Sequence, residues 1–329
     1  MKTWIVSALI VLALGPEVIR SVDAVPAHIA GRFRDPAGFE RSSSGQYFVF
    51  DRRSQIVWGV DPRDDSAWEI VHIGNEPGRI LNPFAFAVAP DGTFAVGDAP
   101  NNQERIQVFT PAGFRIGGFT LPGRPHARVT LDGVVLNGIG SLQYTGSSIL
   151  LSQPDTGSLV SEYSTNGAPI RSFGQLRATG HEDDPAVHTM LNTGLPLVDP
   201  RGGFFFVFQT GEPVFRKYDA KGVLLFERKI QGREIDDFVG RLPSLWPKRA
   251  ATGGELPFIT PTIRAAAVSS SGHLWVSFSD PVTYEFDGDG DKIRAVQFRA
   301  AGLVSPNHMS FDNEGRMLVT PGLYVFNVQ

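Results

Sequence analysis

The sequence predicts an all-β fold, a six-bladed β-propeller of four-stranded antiparallel blades, closed by an N-terminal strand and carrying helical insertions on one face. Three observations predict it: a turn-and-strand grammar that recurs along the chain, a composition rich in turn formers, and a last repeat that stops one strand short. Gly 36, Pro 24 and Phe 24 among 329 residues, with charged residues at 19%, suit many short strands joined by tight turns. A lone four-stranded sheet cannot bury both of its faces, so each repeat must stack against others.

The most regular repeat lies at 83–121. An apolar run, FAFAV at 84–88, closes on the turn PDG at 90–92, and TFAV at 93–96 follows as a second strand. After a polar loop over 98–104, RIQVF at 105–109 alternates at period two, PAG at 111–113 turns the chain, and 115–121 supplies a fourth strand. Four strands joined by tight turns make one antiparallel meander, the unit of a propeller blade. The same grammar predicts blades at about 38–74, 140–176, 194–230 and 263–298. A sixth runs from 306 to the chain end with only three strands, and the strand-like run at 27–33 is expected to supply the fourth and close the ring.

Residues 1–24 read as a secretory signal, with Lys2 as a minimal basic region, an apolar run over 4–14 and a small-residue cleavage site at 22–24. The run is too short to span a bilayer. The expectation is therefore a periplasmic or secreted protein, cleaved after Ala24, whose domain is 25–329 and which keeps no stable membrane span. A net charge of −4 gives no electrostatic case for nucleic acid, and zero cysteines exclude disulfides, thiol nucleophiles and thiolate zinc sites.

The repeat is broken at 121–139, 174–193 and 231–262, each between the outer strand of one blade and the inner strand of the next. Insertions on one face are what a binding face looks like. The first carries Arg124, His126 and Arg128 around Pro125, a basic cluster suited to a carboxylate or phosphate. In the second, His181 precedes three carboxylates, and Asp184-Pro185 signals a helix start that carries His188 one turn in. Imidazole and carboxylate together suit zinc or manganese, against the plainer reading of a capped polar helix. The third has Ile235, Phe238, Val239 and Leu242 at helical spacing after Arg233, and then Trp246 beside Lys248 and Arg249. It reads as a lid or docking element, or as a packing cap. DGDGD at 287–291 imitates the start of a calcium loop, but Lys292 and Phe298 replace the glycine and glutamate that the pattern needs, leaving a hairpin turn. His308, after Asn307, precedes the last inner strand and is expected to face the central channel.

With its proline before the inner strand, its DG turn, VGD at 96–98 and NNQERIQVF at 101–109, residues 83–119 resemble the NHL repeat. The chain as a whole is similar to six-bladed propellers of the NHL-repeat and TolB-like type, and the resemblance implies a recognition scaffold. Two enzyme branches share the architecture. A lactonase-like site would place a divalent cation in the channel, with Glu40 the nearest equivalent of that branch's glutamate. A lyase acting on peptidyl-hydroxyglycine would use zinc held by histidines, for which His126, His188 and His308 are the candidates. The leading expectation is thus a scaffold without cofactor that binds a protein or small ligand on the long-loop face. The alternative is a metal-dependent hydrolase or lyase with one divalent cation, Ca or Zn.

Overall fold

The computed structural model describes residues 15–61, 63–121, 127–131, 134–137, 141–251 and 254–328. Strand β1 is Glu17–Ala24, and a single helical turn, α1 (Ala27–Ala30), follows it. The first meander is β2 (Pro36–Arg41), β3 (Tyr47–Asp51), β4 (Ile56–Asp61) and β5 (Ser66–Val71). The second is β6 (Ala85–Val88), β7 (Phe94–Asp98), β8 (Arg105–Phe109) and β9 (Arg115–Thr120). A hairpin of β10 (Ala127–Leu131) and β11 (Val134–Asn137) then leads to β12 (Leu142–Tyr144), β13 (Ser148–Ser152), β14 (Ser158–Ser164) and β15 (Pro169–Gln175). Helix α2 (Pro185–Leu191) precedes β16 (Gly194–Val198), β17 (Phe204–Phe208), β18 (Val214–Tyr218) and β19 (Leu224–Lys229). Helix α3 (Arg233–Val239) and a hairpin of β20 (Lys248–Ala251) and β21 (Gly254–Pro257) come next. They lead to β22 (Ile263–Val268), β23 (Leu274–Phe278), β24 (Thr283–Phe286) and β25 (Lys292–Arg299), and then to β26 (His308–Phe311), β27 (Met317–Thr320) and β28 (Tyr324–Phe326).

Four of these meanders are separate four-stranded sheets, and the last two sets join through β1 into one eight-stranded sheet. The burial pattern explains the sequence pattern. The second strands β3, β7, β13 and β23 are buried at every position and β17 at all but its first, so they read as apolar runs such as FFFVF rather than as alternation. The outer strands β9 and β19 are largely exposed, and polar residues are tolerated there.

Each sheet packs its faces on its neighbours. One core joins Phe48 and Val57 of the first meander to Phe94 and Phe109 of the second, and the next joins Ile106 to Ile149 and Leu151 of the third. Leu150 and Leu159 then meet Phe206 and Phe208, and Phe205 and Phe215 meet Leu274 and Tyr284. Trp275 packs with Met309 and Met317, and Leu318 and Val325 return to Val49 and Val60 of the first meander, which closes the ring. Turn chemistry fixes the registers. Asp287 accepts the backbone N–H groups of Asp289 and Asp291, at 3.0 and 2.9 Å, so the DGDGD stretch is a self-capped hairpin turn. Gly113 has φ +85°, and a Cβ there would stand 2.3 Å from the Ile70 carbonyl oxygen of the neighbouring sheet, which leaves glycine as the residue that fits.

The closing strand differs from the one expected at 27–33. β1 runs parallel to β25, with Ile19 opposite Phe298, and antiparallel to β28, with Ser21 opposite Phe326. Its single buried residue, Ile19, enters the same core as Trp275 and Phe326. Residues 27–33 instead turn after Pro26 and drop Ile29 and Phe33 into the core between the last and first meanders. The apolar residues of that run are in the core, but a helical turn delivers them because Pro26 presets the backbone there.

The insertions share one face and touch one another: β10 packs on β21, and α2 packs on both. The Lys248 ammonium meets the Asp184 carboxylate at 2.6 Å, which ties β20 to the cap of α2. Arg177 anchors this face to the ring. Its guanidinium donates to the carbonyls of Leu191 at 2.9 Å, Thr210 at 2.7 Å and Glu212 at 3.0 Å, and it covers the Phe208 ring at 4.2 Å. Burial lowers its pKa to about 10. Arg177→Lys keeps a charge but loses the fork that reaches three carbonyls. It should cost about 3 kcal/mol, read as a lower urea midpoint at unchanged slope.

Candidate ligand channel

The inner strands β2, β6, β12, β16, β22 and β26 surround a central cavity of about 460 Å³. Its walls are mostly apolar and include Val88, Leu142, Leu197 and Met309. A small polar set converges inside: Glu40, Tyr144, Arg264, Asn307, His308 and Ser310. Toward the insertion face the same channel is lined by Phe84, Gln209, Arg264, Asn307 and His308, with Asp35 and Arg52 at that mouth paired to each other at 2.9 Å. An apolar cavity with a few convergent polar groups is the usual form of a small-molecule site.

Glu40 and His308 are its centre. Glu40 stands on β2, and its Oε2 accepts the Val88 N–H of β6 at 3.1 Å, so it leans across to the next inner strand. His308 opens β26, on the other side of β2, and its Nε2 lies 3.9 Å from Glu40 Oε1. The two side chains keep 15% and 22% of their surface open, enough for a ligand to reach them. Nε2 is buried without a hydrogen-bond partner, whereas the ring bonds the Phe39 backbone. With the ring proton on Nδ1, Nε2 of the neutral ring is an open acceptor.

Burial dominates both ionisations. It pushes the Glu40 carboxyl up to about 8, only partly offset by the Val88 N–H, and pulls His308 down to about 4 against its bond to Phe39. At neutral pH the pair is a protonated acid beside a neutral imidazole. Beside it, Arg264 donates to the Asn307 side-chain oxygen at 2.9 Å. At the insertion-face end, Gln209 Oε1 is a second buried acceptor with no partner.

The residues singled out on the insertions lie elsewhere. Arg124 and His126 fall outside the described residues, and Arg128 lies on β10. His188 sits on α2, where Nδ1 meets the Thr179 hydroxyl at 2.7 Å, and His181 lies in the preceding loop with its N–H on the same hydroxyl. Trp246 packs against Val187, Met190, Leu191 and Ile259, a cluster that also touches Phe84 at the channel mouth, and Arg249 stacks on Phe258 at 3.6 Å. Arg233 opens α3 beside Glu234, with Ile235 of that helix buried against the ring. The structure thus draws α2, Trp246 and the β20–β21 hairpin into one cap. His188 and His308 are not brought to a common site, since His308 lines the channel and His188 does not.

Among the described residues no group of three or more His, Asp or Glu converges, and Glu40 with His308 makes only two. Nor is any described helix long and apolar enough to cross a membrane.

No protein-family model matches the sequence, and no curated protein matches it. Solved structures do. A streptogramin B lyase superposes with a TM-score of 0.51 at 11% identity, covering 89% of this chain and 93% of that one. Virginiamycin B lyase from Staphylococcus aureus superposes with a TM-score of 0.52 at 11% identity, covering 87% of this chain and 77% of that one. At that identity the likeness concerns architecture. Together with the closed ring of meanders, it identifies the fold of this chain as a β-propeller.

Proposed function

We propose that this chain is a six-bladed β-propeller that binds a small molecule in its central channel, with the insertion cap flanking one mouth. The blade count rests on reading the eight-stranded sheet as two meanders, with β1 completing the one that the C-terminal strands begin. One observation carries the site: the unpartnered His308 Nε2 lies 3.9 Å from Glu40 Oε1 inside an apolar cavity. A buried acceptor without a partner is costly to maintain unless a ligand or water completes it. The leader-like residues 1–24 support a location outside the cytoplasm, and retention of β1 in the ring would require any cleavage to fall before Glu17.

A thermal-shift screen of polar small molecules tests the channel reading. A ligand should raise the wild-type melting temperature by about 5 °C near saturation, and Arg264→Ala combined with Asn307→Ala should abolish the shift. Trp246→Ala with Arg249→Ala should leave it intact. If instead only a protein partner binds, and the cap substitutions abolish that binding, the site is the cap and the channel reading falls.

The same pair supports a second reading, a hydrolase or lyase, because a neutral carboxyl and a neutral imidazole are the states that a general acid and a general base start from. Both of the solved structures superposed above are named as lyases. In an enzyme of this class, turnover would vanish in Glu40→Gln while binding persisted.

A further inference from the structure

The Glu40–His308 pair names a ligand class, an inference that rests on the channel reading above. We infer that the channel recognises the edge of a cis-amide, an N–H beside a carbonyl as in a lactam or a ureide, with Glu40 donating to the carbonyl oxygen and His308 Nε2 accepting the N–H.

In the tautomer protonated at Nδ1, the group that His308 turns to the cavity is an acceptor, the unpartnered Nε2. Glu40 Oε2 already accepts the Val88 N–H, so the Oε1 side of the protonated carboxyl is where a donor faces His308. Donor and acceptor therefore stand side by side, 3.9 Å apart, on adjacent inner strands. A cis-amide offers the complementary order, acceptor beside donor on one planar edge, and the carbonyl lone pairs splay outward to meet a partner set slightly wide of the N–H. A carboxylate would bring no proton for Nε2, and an ammonium would bring none of the acceptors that Glu40 needs. The apolar walls at Val88, Leu142 and Met309 then cover the ring or chain that carries the amide.

Ionisation supports this order. Neutral Glu40 and neutral His308 coexist between about 4 and about 8, so the donor is lost as pH rises through the upper value and the acceptor as pH falls through the lower. The other charged or titratable groups facing this cavity are Arg264 on β22 and Tyr144 on β12, with Asp35 and Arg52 at the insertion-face mouth.

Ligand-observed NMR with 2-pyrrolidone and N-methyl-2-pyrrolidone as probes decides the matter on the full chain. The free lactam should bind at pH 7 and lose about tenfold in affinity at pH 9, whereas the N-methyl compound should be at least about tenfold weaker throughout. Glu40→Gln keeps a donor, so it should bind within about threefold of wild type and lose the pH dependence. His308→Phe should abolish binding, and His308→Asn, which restores an acceptor, should recover part of it while keeping the fold. Equal binding of the two probes, or lactam binding that survives in folded His308→Phe, overturns the inference. If neither pyrrolidone binds but another small molecule does and responds to Arg264→Ala with Asn307→Ala, the amide inference falls and the channel reading stands.

Discussion

A chain that starts at Val25 is expected to fold poorly or not at all, whereas one that starts at Glu17 should be stable. The reason lies in where β1 sits. It fills the gap between β25 and β28, pairing parallel with the first and antiparallel with the second, so its removal opens two strand edges at once. It also withdraws Ile19 from the core that holds Trp275, Phe298 and Phe326, and frees Arg294 from Glu17 at 2.8 Å. Losing one buried isoleucine alone costs about 2–5 kcal/mol, and the lost pairing adds to it. That total is comparable to the whole stability of a typical domain. Thermal unfolding and size-exclusion chromatography of the two chains, made in parallel, check this. The short chain should melt at least about 10 °C lower or aggregate through its open edges. Equal melting curves would show that the ring closes without β1.

That strand also marks the limit of what the sequence disclosed. The second and third strands of the meanders were legible almost to the residue: runs at 148–152, 204–208 and 214–218 coincide with β13, β17 and β18. Their continuous apolar character follows from burial on both faces, and the turns that bound them are written in Gly, Asp and Asn. The start of α2 was equally plain, since Asp184 accepts the Val187 N–H and Pro185 fills the first turn. β1 was not legible because EVIRSVDA carries one buried residue in eight, and its partners lie almost the whole chain away. β1 also lies inside the leader-like stretch 1–24, which reads as a secretory signal rather than as a strand. The hairpins β10–β11 and β20–β21 were missed because their neighbours are other insertions rather than the repeat.

The candidate site shows the same division. Insertions advertise themselves as breaks in a repeat, so Trp246, Arg249 and His188 stood out, and they do form a cap. The channel pair is made by adjacency of β2 and β26, the first and last inner strands in sequence. Nothing local ties Glu40 to His308. The signal available was a polar pair, Asn307-His308, at the start of an inner strand, which singled out His308 but left Glu40 resting on family resemblance alone.

Glu40→Gln should make the protein less sensitive to alkali, the second large effect expected. In the folded chain the Glu40 carboxyl is raised from 4.5 to about 8 because burial opposes its charge. A raised carboxyl contributes stability that is fully present below the unfolded value and is lost as pH climbs through the folded one, since the unfolded chain releases the proton first. The window is therefore from 4.5 to about 8. The loss over it is about 5 kcal/mol, or roughly 5–10 °C in melting temperature for a domain of this size. Glutamine has the same shape, can still accept the Val88 N–H and has no proton to lose. Wild type and variant should melt together at pH 5 and diverge to the variant's advantage by pH 9. His308 titrates on the acid side in both proteins, so the difference between the two curves isolates Glu40. Were Glu40 and His308 instead a charged pair in the folded protein, the substitution would strand an imidazolium. The variant would then be the less stable at pH 7, the opposite sign, which a single pair of melting curves at that pH distinguishes.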